Sequence, residues 1–398
     1  MRNVASPRAA LFTLFAIVVI DLVGFGIVIP ILPFYAESFG ASASVLGLLV
    51  TCYSGCQFLF APIWGRLSDR YGRRPVMLST IAGTAAALAL LGWAPSLAWL
   101  FLARLLGGAF GANISVASAY ITDLTSEGER TKYMGFLGAS FGVGFVLGPA
   151  IGGFLAKSGY ALPMWVAAGL AAVNAGFAYF TLAEPPRHVP AEGEPVARLA
   201  GLFTRVAGGD ATQSLIRKLC GAVFVFSFAV SQLETVFAFF MMERFAYGAA
   251  QVAFILVFMA FLMIGVQGGG LRVLVRRLGE RRLLQTGALL LVPTLAAVPF
   301  LPSVAWLLLP LGLSAIGRAL CYPSLMGLLA NAAPAGQRGV VMGTFQSSAS
   351  LARVLGPLAA GFLYDWARPA PFVLGGSLML IVLGLAFALP LPEPPATG

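Results

Sequence analysis

The stretch GRLSDRYGRRP, residues 65–75, places four arginines and one aspartate between two long apolar segments. The segment that follows, LSTIAGTAAALALLGWA at 78–94, lacks the alternation of a transmembrane β-strand and approaches the length of about 20 residues that a helix needs to cross a bilayer. The chain of 398 residues is 59% hydrophobic and only 10% charged, which excludes an ordinary soluble domain. The sequence therefore predicts an all-α membrane protein in which residues 65–75 form a turn between two membrane-spanning helices.

Apolar segments of suitable length predict twelve transmembrane helices. The first follows Arg2 and Arg8; it is too long for the apolar region of a signal peptide and has no small-residue cleavage pattern, so we expect it to be retained. The predicted spans are 10–35, 44–64, 76–93, 97–122, 133–156, 161–182, 217–242, 249–271, 283–301, 304–331, 339–363 and 370–390.

The positive charges lie mostly on one side of these spans. Of the 25 lysines and arginines, 19 fall in the N-terminal segment and the even-numbered turns, three in the opposite turns and three inside spans. Cytoplasmic turns of membrane proteins carry such an excess, so we predict that the turn 65–75 and both termini are cytoplasmic. The net charge of +10 is then a topology signal with anionic lipid as its neighbour, and nucleic acid is not an expected partner.

One long polar interval divides the spans into six and six. It runs from Glu184 to about Thr212 and contains four prolines. We predict an N-terminal six-helix bundle at 1–183, a cytoplasmic linker at 184–213 and a C-terminal six-helix bundle at 214–398. Within the linker, VARLAGLFTRVAG at 196–208 has the pattern of a short amphipathic helix on the membrane surface.

An internal repeat indicates that the two halves share one structure. Ten residues around span 5 recur around span 11 at a constant offset of 208. The first copy comprises Gly128, Arg130, Met134, Gly135, Ser140, Gly148, Pro149, Gly153, Phe154 and Leu155, and the second Gly336, Arg338, Met342, Gly343, Ser348, Gly356, Pro357, Gly361, Phe362 and Leu363. The turn RRLGERRLL at 276–284 is a looser copy of DRYGRRPVM at 69–77. Parallel halves of this kind favour two bundles that rock about a central site.

Motifs in the first half resemble those of one known family. GRLSDRYGRR at 65–74 resembles the signature of the turn between helices 2 and 3 in the major facilitator superfamily. FLARLLGGAFGA at 101–112 is similar to its fourth-helix motif, and DLVGFGIVIPILP at 21–33 to the first-helix motif of its drug and tetracycline exporters. The resemblance implies the fold of that family, with two pseudo-symmetric six-helix bundles and alternating access to a site between them.

Span 5 carries a glycine pattern that resembles the signature of the antiporters of this family. Its members are Gly135, Gly144, Gly148, Pro149, Gly152 and Gly153. Small residues let helices approach closely, and proline bends a helix. The resemblance implies a place at the interface between the halves; ordinary tight helix packing is the alternative, and both can hold together.

The resemblance also gives the turn 65–75 the role of a latch on the cytoplasmic side. The latch residues are Gly65, Asp69, Arg70, Gly72, Arg73, Arg74 and Asp123. By resemblance, Asp69 lies near Gly339 at the N-terminus of span 11, where the helix dipole favours an anion, and Asp123 pairs with the arginines. A simple topology anchor is the alternative, but it does not explain the aspartate. Arg276 stands where Asp69 does in the second half, so the resemblance does not extend a matching latch there.

Polar and charged residues inside the spans are the candidates for substrate binding and proton coupling. They are Asp21, Arg104, Glu234, Arg318, Tyr322, Gln346 and Arg353. A charge in hydrocarbon costs on the order of several kcal/mol unless it pairs with another group or lines a polar cavity. We expect Arg104 to lie close to Asp21, and Arg353 or Arg318 close to Glu234. Buried ion pairs that only fix helix packing are the alternative for the three arginines.

The two acids carry the functional hypothesis. A carboxyl group in such a place can bind and release a proton near neutral pH, so Glu234, Asp21 or both would couple proton entry to substrate exit. Phe237 and Met241, which follow Glu234 on one helical face, suit a hydrophobic or cationic substrate, with core packing as the alternative.

The sequence thus predicts a proton-coupled exporter of small hydrophobic or amphiphilic compounds, as in drug and tetracycline efflux. A carrier of a sugar, lipid or metabolite that works by symport or uptake is the alternative. A membrane enzyme or scaffold is disfavoured, because the only histidine, His188, lies in the linker and no nucleotide-binding loop or metal-ligand set occurs. We expect no catalytic residue, cofactor or metal; the expected partners are a small-molecule substrate, protons and the lipid bilayer, for a monomer in a bacterial inner membrane.

Overall fold

The computed structural model describes residues 7–125, 127–185, 210–334 and 337–389. These residues form α-helices joined by short turns, and no strand occurs among them. The predicted surface helix at 196–208 and most of the predicted linker 184–213 lie outside the described residues.

The described residues of the first half form seven α-helices. They are α1 (Pro7–Glu37), α2 (Ala43–Tyr71), α3 (Arg73–Trp93), α4 (Leu97–Phe110), α5 (Asn113–Leu124), α6 (Glu127–Leu155) and α7 (Ala161–Thr181). The second half contains α8 (Asp210–Phe245), α9 (Ala249–Gly265), α10 (Leu271–Ala297), α11 (Val304–Ala332), α12 (Arg338–Trp366) and α13 (Ala370–Ala388), with a π-helical turn, Val266–Gly270, between α9 and α10. Each predicted span coincides with helical residues, so the all-α architecture is confirmed.

Ten helical segments of the described chain are long and apolar enough to cross a membrane. Two local features account for the difference from twelve. The segment Ala249–Phe300 is continuous but holds two predicted spans, which are separated by a bend at Gly279 (φ 76°, ψ 157°). Helix α12 is not among the ten, and it carries Gln346, Arg353 and several serines in its interior.

The described residues fall into two compact units. Unit 1 draws them from Met1–Glu194, Thr235–Phe261 and Pro357–Asp365, and unit 2 from Pro195–Glu234, Leu262–Gly356 and Trp366–Gly398. Helices α8, α9 and α12 therefore each contribute residues to both units. The division into bundles 1–183 and 214–398 stays a prediction.

Helices α1 and α6 of unit 1 pack with their backbones in contact. A Cβ atom on Gly148 would lie 2.5 Å from the Cα atom of Gly26, and one on Gly144 would lie 2.6 Å from the Cβ atom of Leu22. Gly152 approaches the backbone of Ile27 in the same way. Three members of the predicted antiporter pattern thus serve tight helix packing within this unit, which is the role that the alternative interpretation gave them.

The other members of that pattern differ. Gly153 faces Ala253 of α9, also in unit 1, whereas a Cβ atom on Gly135 would meet no described atom within 4 Å.

Polar side chains add to the packing of α1 against its neighbours: the buried Asn174 of α7 donates from Nδ2 to the carbonyl oxygen of Ile17 at 3.0 Å. A buried amide that reaches a backbone carbonyl fixes the rotation of one helix against the other.

The end of α12 contacts the start of α2 within unit 1. The Asp365 carboxylate accepts hydrogen bonds from the backbone nitrogens of Ala43 at 3.2 Å and Ser44 at 2.8 Å, and Gly361 packs on the carbonyl of Ala43. Burial alone would raise the pKa of Asp365, but the hydrogen bonds from Ser44, Ala43 and the Ser42 side chain outweigh it and lower this pKa. Asp365 thus neutralises free N–H groups at the N-terminus of α2.

Helix α10 packs between α11 and α13 in unit 2. Glycines at the α10–α11 crossing bring the backbones together, since a Cβ atom on Gly287 would lie 2.8 Å from the carbonyl oxygen of Gly317. Arg281 donates to the carbonyl oxygen of Phe387 at 2.6 Å, as Arg74 does to that of Tyr179 in unit 1 at the same distance. Phe387 follows Tyr179 by 208 residues, which agrees with the internal repeat.

We expect Gly148→Ala to lower the stability of the protein because the added methyl group forces α1 and α6 apart. Overpacking of this kind costs about 1–3 kcal/mol. Gly138→Ala is the matched control, because Gly138 lies on the same helix and has open space around it. The midpoint of thermal unfolding in detergent should fall for Gly148→Ala only, and equal midpoints would contradict the packing described here.

Asp365→Asn should lower the unfolding midpoint at pH 7 by the loss of about 0.3–1 kcal/mol, the usual contribution of an anion at a helix N-terminus. The native pKa of Asp365 lies below its ordinary value of 3.8, so this contribution is present above that pH and is lost as the pH falls through the native pKa. The difference from the unaltered protein should therefore persist at pH 5.5 and shrink only below about pH 4. Glu37→Gln, at an exposed acid, is the control; an equal decrease there would refute a specific cap.

Candidate functional site

The turn between α2 and α3 is organised around Arg73. Gly72 has φ 106°, a conformation that favours glycine, and it reverses the chain between the two helices. Arg73 then points back and donates to Asp123 at 2.7 Å, to the Ser68 hydroxyl at 2.6 Å and to Asp69. The structure brings together three of the predicted latch residues, namely Asp69, Arg73 and Asp123, and adds Ser68.

A carboxylate from the far end of the first half caps α3. Glu184 accepts hydrogen bonds from the backbone nitrogens of Arg73 at 2.6 Å and Arg74 at 2.9 Å. The side chain of Arg74 in turn donates to the carbonyl oxygen of Tyr179 and lies over its ring. The turn is therefore tied to the end of α7. Our sequence analysis missed Glu184, whose only signal is an acid directly after span 6.

Arg70 and Gly65 are the two remaining latch residues. Arg70 lies over the ring of Tyr71, 5.4 Å from its centroid. A Cβ atom on Gly65 would meet no described atom within 4 Å, so Gly65 marks no close helix approach. The contact of Asp69 with the N-terminus of span 11 near Gly339 stays a prediction.

The corresponding turn of the second half has inverted charge. Gly279 again has positive φ, and the residue after it is Glu280 where the first half has Arg73. Glu280 accepts a hydrogen bond at 3.0 Å from Asn331, which follows Asp123 by 208 residues. The same two positions still form a hydrogen bond, but a neutral amide and a carboxylate replace the ion pair of Arg73 with Asp123. This agrees with the departure of Arg276 from the motif.

The predicted fourth span, 97–122, lies within one segment that is long and apolar enough to cross a membrane, Leu97–Leu124, but its helix is interrupted. Helix α4 ends at Phe110 and α5 begins at Asn113, with Gly111 and Ala112 between them in non-helical conformations. A break frees backbone carbonyls, which are costly in a membrane. Here α2 supplies the donors: Gln57 binds the carbonyl oxygen of Gly111, and the indole of Trp64 binds that of Ala109, each at 2.6 Å.

The break positions Asn113 against Asp21. Asn113 is 4% exposed and donates from Nδ2 to the Asp21 carboxylate at 3.0 Å. Asn113 is polar but uncharged and so was not among the charged candidates; its only signal in the sequence is an amide directly after the glycine-rich stretch of span 4.

Arg104 and Asp21 are not joined by an ion pair among the described residues. The guanidinium group of Arg104 instead lies over the ring of Tyr53, with 4.0 Å between its central carbon and the ring centroid. Arg104 is 7% exposed, and its Nε atom has no hydrogen-bond partner among the described residues. Tyr53 interacts electrostatically with both Arg104 and Asp21.

A second charged cluster occupies unit 2. Arg318 of α11 forms an ion pair with Glu234 of α8 at 2.7 Å, which selects Arg318 as the direct partner among the two arginines we considered. Arg353 of α12 donates to Ser350 at 2.9 Å and interacts with Glu234 only at longer range. The Glu234 side chain is 60% exposed, whereas that of Arg318 is 10% exposed. The carboxylate is therefore accessible while its partner is buried.

Aromatic and amide groups adjoin this cluster. Tyr322 donates to the side-chain oxygen of Gln346 at 3.4 Å, and its ring lies 5.5 Å from that of Phe345. Phe237 and Met241 are both buried within unit 1, so the structure favours the packing interpretation for these two.

The arrangement provides two carboxylates in membrane-spanning helices, each with one polar partner. Asp21 is held by a neutral amide in unit 1, and Glu234 by a guanidinium group in unit 2. One carboxylate is therefore hydrogen-bonded to a neutral amide, and the other is paired with a cation. The two sites are thus chemically different.

Comparisons with known proteins identify the family. The model of the Major Facilitator Superfamily matches residues 14–308 and 271–398. The chain is 30% identical over 390 residues to Tetracycline resistance protein, class D, of Salmonella ordonez, across 96% of this chain and 97% of that one. It is 28% identical over 396 residues to Multidrug resistance protein 2 of Bacillus subtilis (strain 168), across 96% of each.

A solved structure agrees with this. The crystal structure of the human organic anion transporter MFSD10 (TETRAN) matches with a TM-score of 0.73 at 29% sequence identity, over 96% of this chain and all of that one. Family match, sequence relatives and fold point the same way, and this membrane-spanning chain belongs to the major facilitator superfamily of transporters.

Proposed function

We propose that this transporter exports small hydrophobic or amphiphilic compounds in exchange for protons. The observation that carries the proposal is the pair of carboxylates inside membrane-spanning helices, Asp21 and Glu234, each hydrogen-bonded to a polar side chain of another helix. An ionisable group in hydrocarbon is costly to keep and is a functional candidate for that reason. A group that gains and loses a proton as the cavity changes sides would link the proton gradient to the movement of a substrate.

The relatives favour drug export. Proteins named for tetracycline and multidrug resistance match nearly the whole chain at 28–30% identity. The name of the human organic anion transporter points to a second candidate, the carriage of organic anions, which the exposed Arg353 would also suit. Symport or uptake of a sugar, lipid or metabolite is the alternative, and an assay of the direction of transport distinguishes it from export.

The proposal includes the setting of the protein. We place a monomer in a bacterial inner membrane with both termini in the cytoplasm, as the distribution of arginine and lysine favours. The two predicted six-helix bundles would alternate access to the substrate without catalysing a chemical reaction. The cluster around Arg73 would serve as the cytoplasmic latch, with Asp69 released to the start of α12 when the other side opens.

Asp21→Asn and Glu234→Gln test the coupling directly. Each removes a titratable proton while keeping the size of the side chain, so we expect at least one of them to reduce proton-driven tetracycline uptake into inverted vesicles to the level of vesicles without the protein. Glu37→Gln, an exposed acid outside the two clusters, should leave uptake unchanged. Full coupling in both variants would refute the proposal, and substrate movement in the same direction as protons would establish symport instead.

Asp69→Asn tests the latch. An anion at a helix N-terminus contributes about 0.3–1 kcal/mol, so the initial transport rate should fall by up to about fivefold while tetracycline affinity and membrane insertion stay unchanged. Glu129→Gln is the control, because Glu129 is an exposed acid at the start of α6. An unchanged rate for Asp69→Asn would reduce the turn to a topology anchor.

A further inference from the structure

Three helices of unit 2 place two arginines around one carboxylate. Glu234 of α8 pairs with Arg318 of α11 at 2.7 Å, and Arg353 of α12 lies within electrostatic range of the same carboxylate. No described carboxylate lies within 4.0 Å of Arg353. The cluster therefore carries one positive charge more than negative, and Arg353 is the group without a close counter-ion.

An uncompensated charge is unusual at this depth. Arg353 lies near the middle of α12, in a span that we predict to cross the bilayer, yet its side chain is exposed. Charged groups in such spans normally pair with one another or line a polar cavity that binds a substrate. Ser350 takes up one of the five N–H donors of Arg353, so the guanidinium group keeps donors for a further acceptor.

The surroundings of Arg353 fit the recognition of an anionic group. Tyr322 interacts electrostatically with Arg353, and its hydroxyl group donates to Gln346 on the same face of α12. The rings of Phe226 and Phe345, both buried, flank Tyr322, with centroids 6.3 and 5.5 Å from its own. A planar cation beside hydrogen-bonding side chains can bind a carboxylate or sulfonate bidentately.

We infer that Arg353, with Tyr322 and Gln346, forms a subsite for the acidic group of an organic anion. The subsite rests on the proposed transport function, because it describes the substrate that the protein would transport. It differs from the cationic substrate that Phe237 and Met241 suggested from sequence, since both of those side chains are buried. Binding of an anion would restore charge balance around Glu234 and Arg318.

Two dyes that share a xanthene ring and differ in charge test this subsite. Fluorescein is an anion and rhodamine 123 a cation at pH 7.5, and the binding of each to the purified full chain in phosphatidylcholine nanodiscs is followed by fluorescence polarisation. The unaltered protein should bind fluorescein more tightly. Arg353→Gln should weaken fluorescein binding by about tenfold or more, as expected for the loss of a charge-assisted hydrogen bond, and leave rhodamine 123 binding within about twofold.

Arg353→Lys should give an intermediate loss, because it keeps the charge without the planar fork. It also carries the test should Arg353→Gln not fold, and Arg66→Gln, at an exposed arginine outside the spans, controls for general charge effects. Fluorescein binding that is unchanged in the Arg353 variants, or weaker than rhodamine 123 binding in the unaltered protein, would overturn the inference. Binding is measured without a gradient, so lost proton coupling with retained anion selectivity would refute only the proposed transport mechanism.

Discussion

The cost of placing charge in a membrane governs the arrangement of this protein. Five ionisable groups lie within its predicted spans, and each is accommodated differently. Asp21 receives a neutral amide, Arg104 lies against the ring of Tyr53, and Glu234 shares its charge with Arg318. Arg353 is exposed, donates to Ser350 and has no carboxylate within 4.0 Å among the described residues. A charged group that is only partly paired can still bind a proton or a charged substrate.

The helices around these groups are fixed by contacts between backbones. Glycines bring α1 against α6 in unit 1 and α10 against α11 in unit 2. The break in span 4, in unit 1, is stabilised by Gln57 and Trp64, which donate hydrogen bonds to the carbonyl oxygens that the break exposes. This tight framework is what holds Asn113 against Asp21. The rigid packing and the charged site are therefore parts of one structure, because a shift of α1 would move the carboxylate.

Much of the fold follows from local sequence. Hydropathy locates the spans because about 20 apolar residues match the bilayer, and arginine marks the turns. The charged candidates are found in the same way, since a lone Asp21 or Glu234 in an apolar run stands out. Arg73 and Asp123 were paired by resemblance to a known motif, and the structure joins them at 2.7 Å.

What escaped prediction depends on contacts between distant residues. Glu184 caps α3 from about 110 residues away, and Asp365 caps α2 from about 320, so no local pattern could indicate either. The choice of Arg318 over Arg353 as the partner of Glu234 depends on how α8, α11 and α12 pack, which helical periodicity leaves open. Asn113 was missed for another reason: it is polar but uncharged, and its role appears only when the helix breaks.

The most direct test of the central claim is a measurement of proton movement driven by substrate. The purified protein is reconstituted in liposomes that enclose a pH-sensitive dye, with no initial pH gradient, and tetracycline is added to one side. If protons are exchanged for substrate, protons should move across the membrane in the direction opposite to tetracycline, and the lumenal pH should change accordingly. A protonophore should abolish this change. Substrate movement without any change of lumenal pH would contradict the account.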